Sequence, residues 1–201
     1  MTKRGTVLLT GSGLLLAVAV ALAATPLPTR APSPQALWRQ IRFLARTHAV
    51  MPGSHPFQPG SRTVDLFTVD LANGTARAAI LRAGGIRRVL RYPVGSLLIK
   101  ENYDPKRKLD GVTAMLKLAG YDPTDRNWVM AAYRPQGRVV AYGRVASCIG
   151  CHALASRSDF AFAPPPRVLL SVAVWRAFFP EQKISPLYRR LLAQHPRAIV
   201  R

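Results

Sequence analysis

The chain has 201 residues, of which 29 are basic and only nine acidic, so its formal net charge is +20 at pH 7. This length is sufficient for one domain with a hydrophobic core. A surface with so much positive charge is typical of proteins that meet nucleic acid, anionic lipid or an acidic protein. Two cysteines exclude a zinc site made of cysteine alone, which needs four ligands.

The N-terminal segment predicts export. Lys3 and Arg4 precede an apolar stretch over residues 6–24, and residues 21–23 read "ALA", with small residues at the first and third positions. Residues 1–24 are therefore typical of a secretory signal peptide. An uncleaved membrane anchor is the alternative, because about 19 apolar residues can just span a bilayer. Either alternative predicts a periplasmic location. Since nucleic acid is not expected there, an acidic redox partner or an anionic membrane surface becomes the expected partner.

The next segment predicts a spacer followed by a helix. Residues 25–34 contain four prolines and are typical of an extended linker. Ser33 is a suitable N-cap for a helix that begins at Pro34 and continues to about His48. Turn-forming residues dominate residues 51–60, so that a loop is expected there.

A second helix and then a series of strands are expected. Asp70 is a suitable cap for a helix that extends to about Arg82 and ends at Gly84-Gly85. Short turns separate the strand-like segments that follow, and such turns favour antiparallel neighbours. These segments read "YPVGSLLIKENYDP", "GVTAMLKLAGYDP", "NWVMAAYRPQG" and "RVVAYGRVA".

Both cysteines of the chain lie in one five-residue window, "CIGCH". This C-x-x-C-H pattern is typical of covalent attachment of one c-type haem. On a helix, Cys148 and Cys151 share a face, so both sulfurs can reach the vinyl groups of one porphyrin. His152 follows directly and can place its imidazole on the iron. The pattern therefore predicts Cys148 and Cys151 as haem anchors and His152 as the iron ligand.

Three alternatives without haem remain open. A zinc site would have to recruit His48, His55 or His195, none of which is paired at a zinc-finger spacing. A thiol–disulfide exchanger also uses C-x-x-C at the start of a helix after a strand, but it gives no reason for the adjacent histidine. A structural disulfide across two residues would restrain the unfolded chain very little.

The residues around this window resemble the cytochrome P-460 family, which includes cytochrome c′-beta. The resemblance rests on "YPVGSLLIKENYDP", "VTAMLKLAGYDP" with "NWVMAAY", and "SCIGCHALASRSDFAF", which follow one another in the family's order. It covers about residues 92–162 and ends near Pro164. The family's Met-x-Lys strand and its aspartate–aromatic pair correspond here to Met115–Lys117 and to Asp159-Phe160.

The resemblance implies a homodimer with one histidine-ligated haem and an open iron face in an apolar pocket. Members with the P-460 chromophore oxidise hydroxylamine and have a lysine bonded to the porphyrin, whereas c′-beta members bind nitric oxide without that bond. Alignment of "GSLLIKE" places Lys100 at the position of the bonded lysine. For such a bond the amine must be neutral, which desolvation favours. A solvated strand lysine is the alternative.

One departure from the family concerns the carboxylate that serves as proton acceptor. The corresponding stretch, residues 112–115, contains no acid, and Asp110 is expected in the preceding turn. Loss of a general base typically costs about 10²–10⁴-fold in rate.

The sequence also indicates side chains that could ligate the iron or pack around it. Met51, Met115 and Met130 are candidates for a sixth iron ligand, with core filling as the alternative for the two strand methionines. Trp128, Tyr121 and Phe162 are expected to pack the haem or the core, and Asp159 to order the loop after the haem helix.

Taken together, these patterns predict an α+β fold with a mainly antiparallel sheet, accessory helices and a C-terminal haem-attachment helix. The expected organisation is a signal peptide over residues 1–24, a spacer over 25–34, a haem domain over 35–163 and a basic extension over 164–201. The expected function is that of an exported mono-haem cytochrome that binds or oxidises a small nitrogen species. The alternatives are an electron-transfer or gas-binding haem protein and a haem-free C-x-x-C redox protein.

Overall fold

The computed structural model describes residues 30–54, 58–59, 67–104, 106–162, 169–178, 180, 184 and 186–200. The predicted signal peptide, the first half of the predicted spacer (residues 25–29) and His55 lie outside these residues. None of the helices in the described part of the chain has the length and hydrophobicity that crossing a bilayer requires.

The core of the fold is an antiparallel sheet whose strands follow one another in chain order. Five strands form a continuous meander, and a two-residue strand adds to its first edge. With the helices around the sheet, this confirms the α+β class. The strands are β1 (Gln58–Pro59), β2 (Phe67–Ala72), β3 (Leu97–Tyr103), β4 (Leu109–Lys117), β5 (Trp128–Tyr133) and β6 (Val139–Gly143).

Within the described residues, five α-helices accompany the sheet, and a second pair of strands is separate from it. The helices are α1 (Pro34–Arg46), α2 (Gly74–Ala83), α3 (Ala146–His152), α4 (Val172–Phe178) and α5 (Pro186–Gln194). The short strands β7 (Leu169–Leu170) and β8 (Ile199–Val200) pair with each other in parallel. Within the described residues neither of them joins the main sheet.

The prediction for α1 is confirmed. The Ser33 hydroxyl accepts a hydrogen bond from the Ala36 amide at 3.2 Å, and Pro34 occupies the first turn, where its missing N–H costs nothing. The helix ends at Arg46, two residues before His48, which has the left-handed φ of 46°. The Thr47 hydroxyl donates to the carbonyl groups of Phe43 and Leu44 in the last turn.

The prediction that Asp70 caps the second helix is wrong. Asp70 lies inside β2, and the helix begins at Gly74 with Asn73 as its cap. The Asn73 side chain accepts hydrogen bonds from the amides of Ala76 and Leu97 and donates to the Gly95 carbonyl, so it joins the helix to the start of β3. The predicted end of the helix is correct, since Gly84 takes the left-handed conformation at φ 72°.

Two smaller predictions also need correction. The segment 51–60 was expected to be entirely a loop, but Gln58–Pro59 pairs with β2 as an edge strand. Asp110 was expected in a turn, but it lies in β4 and its side chain is exposed. An edge position suits a short strand ending in proline, because proline cannot donate to a further ladder.

The two faces of the sheet are covered by different elements. One face packs under α1, where Leu37 and Ile41 contact a continuous apolar layer. Trp38 packs on Tyr133 with ring centroids 5.1 Å apart, and the Tyr133 hydroxyl donates to the Pro34 carbonyl at 2.9 Å. The other face packs under α2 and α3, and it is the face that carries the candidate site.

Candidate functional site

The cysteine window forms α3, directly after β6. Cys148 and Cys151 are one helical turn apart, and His152 is the last residue of the helix. Neither thiol is in a disulfide. Ile149 and Cys148 pack against the core under the sheet, which fixes the orientation of the helix. All three predicted site residues of this window line one cavity of about 200 Å³ between α3 and the sheet.

The opposite wall of the cavity consists of two neighbouring rows of side chains that run across the sheet. Directly opposed residues in antiparallel strands lie about 4.5–5.5 Å apart at Cβ and share a face. The apolar row is Ala72, Leu98, Met115 and Met130, and the polar row is Asp70, Lys100 and Thr113. All of these residues except Ala72 line the cavity.

Lys100 is thus on the same cavity as the C-x-x-C-H helix, as the alignment implied. It is directly opposed by Asp70 on one side and by Thr113 on the other. A carboxylate neighbour favours the charged form of lysine and so opposes the neutral amine that a bond to carbon requires. The position of Lys100 therefore fits the expectation, whereas its neighbour Asp70 works against the bond.

Asp70 is the cavity carboxylate that the sequence interpretation missed. Its side chain is almost fully buried, and it accepts a hydrogen bond from the Ser54 hydroxyl at 3.3 Å. The residues around it, Thr68-Val69 and Leu71, have the β-branched and apolar character of a strand, which was the available signal. The expected absence of an acid from residues 112–115 of β4 is correct, but β2, two strands away in the sheet, supplies one.

The imidazole of His152 is oriented by a backbone carbonyl. Its Nδ1 lies 2.6 Å from the Phe160 carbonyl oxygen, so Nδ1 carries the proton and Nε2 keeps its lone pair. Burial lowers the pKa of His152 and the Phe160 hydrogen bond raises it, while the positive charge of Lys100 lowers it further. Phe162 packs edge-on against the ring at 5.2 Å. The histidine is therefore held as a neutral imidazole.

A buried ion pair holds the turn that supplies this carbonyl. Asp159 and Phe160 both have positive φ, at 54° and 67°, which is costly for residues with side chains. The Asp159 carboxylate accepts hydrogen bonds from the Lys117 ammonium at 2.8 Å and the Tyr92 amide at 2.6 Å. Its carbonyl accepts one from Trp128 Nε1, also at 2.8 Å.

These contacts confirm the expectation that Asp159 orders the loop, and they show that its partner is Lys117. Burial lowers the pKa of Lys117, and the hydrogen bond to Asp159 opposes that shift. The Met-x-Lys strand and the aspartate–aromatic pair, noticed separately in the sequence, thus meet in one interaction. Trp128 takes part in the same network and is fully buried, as expected.

The donor set fits a covalently attached haem. Two unbridged thiols and an imidazole with a free Nε2 face one cavity from a single helix, and three methionines at positions 51, 115 and 130 line it as well. The volume of about 200 Å³ is below the range of roughly 300–1,000 Å³ that is typical of small-molecule sites. A porphyrin would therefore occupy more space than this cavity encloses.

A larger hollow of about 430 Å³ lies elsewhere, between the Arg91–Val94 segment and the turn after β4. It contains no thiol or imidazole, so its chemistry does not fit the same group. Among the residues that the structure describes, no three histidine, cysteine or acidic side chains lie together as a metal cluster.

What the fold and the cavity define is an α+β protein with a C-x-x-C-H helix facing an antiparallel sheet. Comparison of the sequence with known families and with curated proteins gives no match.

Proposed function

We propose that this protein is an exported mono-haem c-type cytochrome, similar to the cytochrome P-460 family, that binds or oxidises a small nitrogen species such as hydroxylamine or nitric oxide. One observation carries the proposal: Cys148, Cys151 and His152 face a single cavity from one helix. A c-type haem held there would provide an iron that binds small ligands and exchanges electrons. The chain's own residues would anchor it, orient its histidine ligand and handle protons.

The residues divide these tasks among them. Cys148 and Cys151 are the thioether anchors, and His152 Nε2 is the iron ligand. Asp70 is the group that can accept a proton from a bound substrate, because it is the carboxylate of the cavity wall. Lys100 is the candidate for a bond to the porphyrin, and its long side chain projects from the same row as Asp70.

The first experiment tests the haem itself. The protein is purified from a bacterium that performs cytochrome c maturation, and its intact mass and ferrous spectrum are recorded. We expect a mass gain of one haem, and we expect the Cys148→Ser/Cys151→Ser variant to lose it. An unchanged mass of the unaltered chain would eliminate the proposal in favour of a haem-free redox protein.

The second experiment tests Lys100. A bond to the porphyrin predicts a red-shifted, broadened Soret band that becomes ordinary in Lys100→Ala. The control is Lys108→Ala, which removes an exposed lysine from the turn between β3 and β4. An ordinary c-type spectrum in the unaltered protein would show that Lys100 stays an amine beside Asp70.

The third experiment tests Asp70 as the proton acceptor. In hydroxylamine turnover, Asp70→Asn should lower kcat by about 10²–10⁴-fold, the typical contribution of a general base. Asp110→Asn is the matched control, because Asp110 is an exposed acid on β4 and does not line the cavity. Equal rates for Asp70→Asn and the unaltered chain would exclude this role.

A second candidate function is electron transfer without substrate chemistry, and the three cavity methionines favour it. Methionine is a common sixth ligand in c-type cytochromes and raises the reduction potential. An acidic protein remains the expected redox partner. Three consecutive exposed cations, Lys106, Arg107 and Lys108, lie at the tip of the β3–β4 hairpin and form a candidate docking site for it.

A further inference from the structure

The C-terminal region, beyond the reach of the family resemblance, folds onto the candidate site. Residues 169–178 and 186–200, called the cap below, contain β7, α4, α5 and β8. The cap has its own small core of Leu169, Leu170, Trp175, Tyr188 and Leu192. Its strands pair only with each other in the described part of the chain, so the cap meets the sheet domain through side-chain packing.

Three residues of the cap line the same cavity as the C-x-x-C-H helix. They are Leu170, Trp175 and Tyr188. The two aromatic rings lie 5.4 Å apart and are tilted by 47°, and the Tyr188 hydroxyl donates to the Leu170 carbonyl at 2.9 Å. This hydrogen bond holds the phenol in place, so the cap presents a defined aromatic surface to the cavity.

The two cysteines of the motif face different surroundings. Cys148 packs against the core under the sheet, whereas Cys151 and its neighbour Leu154 pack against the core of the cap. Burial raises the pKa of Tyr188 to about 12, and the nearby Cys151 thiol contributes to the rise. The cap therefore covers the Cys151 side of the cavity.

We infer that the cap is a wall of the binding site. Its Trp175 and Tyr188 side chains limit the size of the molecules that can reach the cavity. Large rigid side chains exclude molecules by shape while they keep water from an apolar cavity. The ligand class that such a wall favours is that of small molecules such as hydroxylamine or nitric oxide, over ligands with a longer carbon chain. The size limit on iron ligands rests on the proposed function, whereas coverage of Cys151 does not.

The haem-free chain provides the first test. Its two thiols are alkylated with iodoacetamide, and the modification at each position is followed over time by peptide mass spectrometry. Trp175→Ala should raise the rate at Cys151 by about tenfold, because local opening exposes it, and leave Cys148 unchanged. Trp38→Ala is the matched control, since Trp38 lies under the opposite face of the sheet.

A second variant tests coverage of Cys151 without altering the side chains of the cap that line the cavity. Leu192 belongs to the core of the cap, so that Leu192→Ala loosens the cap without changing its surface toward the cavity. We expect a raised Cys151 rate in this variant too. If both substitutions leave the ratio of the Cys151 and Cys148 rates unchanged, the cap does not cover the site and the inference is overturned.

The haem-loaded protein provides the second test. Carbon monoxide and n-butyl isocyanide are bound to the ferrous protein, and the ratio of their association rates is compared between variants. Trp175→Ala should raise the isocyanide rate by about tenfold and change the carbon monoxide rate less than about twofold. Trp38→Ala should leave the ratio unchanged.

The outcomes separate the two claims. Haem attachment with an unaltered rate ratio in Trp175→Ala would overturn the size limit and leave the proposed function standing. A chain that gains no haem would overturn the proposed function, and the alkylation rates would still decide whether the cap covers Cys151.

Discussion

The two faces of the sheet are built from alternate residues of the same strands, yet they differ in kind. The face under α1 presents Val69, Leu71, Leu97 and Ile99, and further apolar residues from β4 and β5 continue the layer. Its one buried acid among the described residues of these strands is Glu101, which accepts a hydrogen bond from the Tyr103 hydroxyl. The face under α3 presents an apolar row and then the polar row of Asp70, Lys100 and Thr113. One face is a mainly apolar core, and the other is the wall of a cavity.

This difference separates stability from function within a single sheet. Because side chains alternate along a strand, each strand can contribute to both faces without compromise. The face under α1 stabilises the fold by burying apolar surface. The face under α3 carries buried polar groups, which proteins retain at a cost in stability when function requires them. Substitutions on the two faces should therefore have separable effects.

The largest expected loss of stability comes from breaking the ion pair between Lys117 and Asp159. Asp159→Ala leaves Lys117 buried without its carboxylate and should lower the free energy of unfolding by about 3–5 kcal/mol. Urea unfolding measures this loss. The double variant Asp159→Ala/Lys117→Met should recover part of it, because the uncompensated charge is gone. Unchanged stability in the single variant would show that the pair does not hold the turn.

A similar loss is expected under α1, but without any effect on the cavity. Leu37→Ala removes a fully buried side chain and should lower the free energy of unfolding by about 2–5 kcal/mol. The alkylation rates of the two cysteines below the unfolding transition should not change. Phe43→Ala on the same helix is the control, since Phe43 is 66% exposed and should cost less than about 0.5 kcal/mol. A changed alkylation rate of either cysteine in Leu37→Ala would show that the two faces of the sheet are not independent.

A smaller effect distinguishes the true helix cap from the cavity carboxylate. Asn73→Ala should cost about 1–2 kcal/mol in unfolding free energy, because the cap of α2 is lost together with two hydrogen bonds to the start of β3. Asp70→Asn keeps the size of the side chain and should lower the unfolding free energy by less than Asn73→Ala does. Its main effect should be on the chemistry of the cavity, measured as hydroxylamine turnover. Should the reverse order appear in thermal unfolding, Asp70 would be the structural residue.

The smallest expected effect concerns a cavity methionine. Met130→Leu conserves volume and should cost less than about 1.5 kcal/mol in stability. If Met130 only packs against Met115, the haem-loaded Met130→Leu variant should have the same visible spectrum as the unaltered haem-loaded protein. Conversion of a low-spin to a high-spin spectrum would instead identify Met130 as the sixth iron ligand and favour the electron carrier.

The regular elements could be predicted from the sequence because their signals are local. Ser33-Pro34 and Gly84 act within one helical turn, and the short turns between β3 and β6 leave few alternatives to a meander. The C-x-x-C-H motif is equally local, since three residues on one helical turn define it. Such features do not depend on distant parts of the chain.

The features that were missed depend on contacts between distant segments. Asp70 and Asn73 are both good caps. The strand character of Val69 and Leu71 is a weak local signal, and the pairing of Asp70 with Lys100 is what places Asp70 in the sheet. Lys117 and Asp159 are 42 positions apart, so neither spacing nor propensity connects them. The cap is joined to the cavity by the packing of Trp175 and Tyr188, which no local pattern reveals.

The most direct test of the account is peptide mass spectrometry on protein from a host that matures c-type cytochromes. Trypsin should release residues 145–157, which contain Cys148, Cys151 and His152. The account predicts that this peptide carries the mass of one haem and that neither cysteine can be alkylated. The same peptide recovered without haem, with both cysteines alkylated, would contradict it.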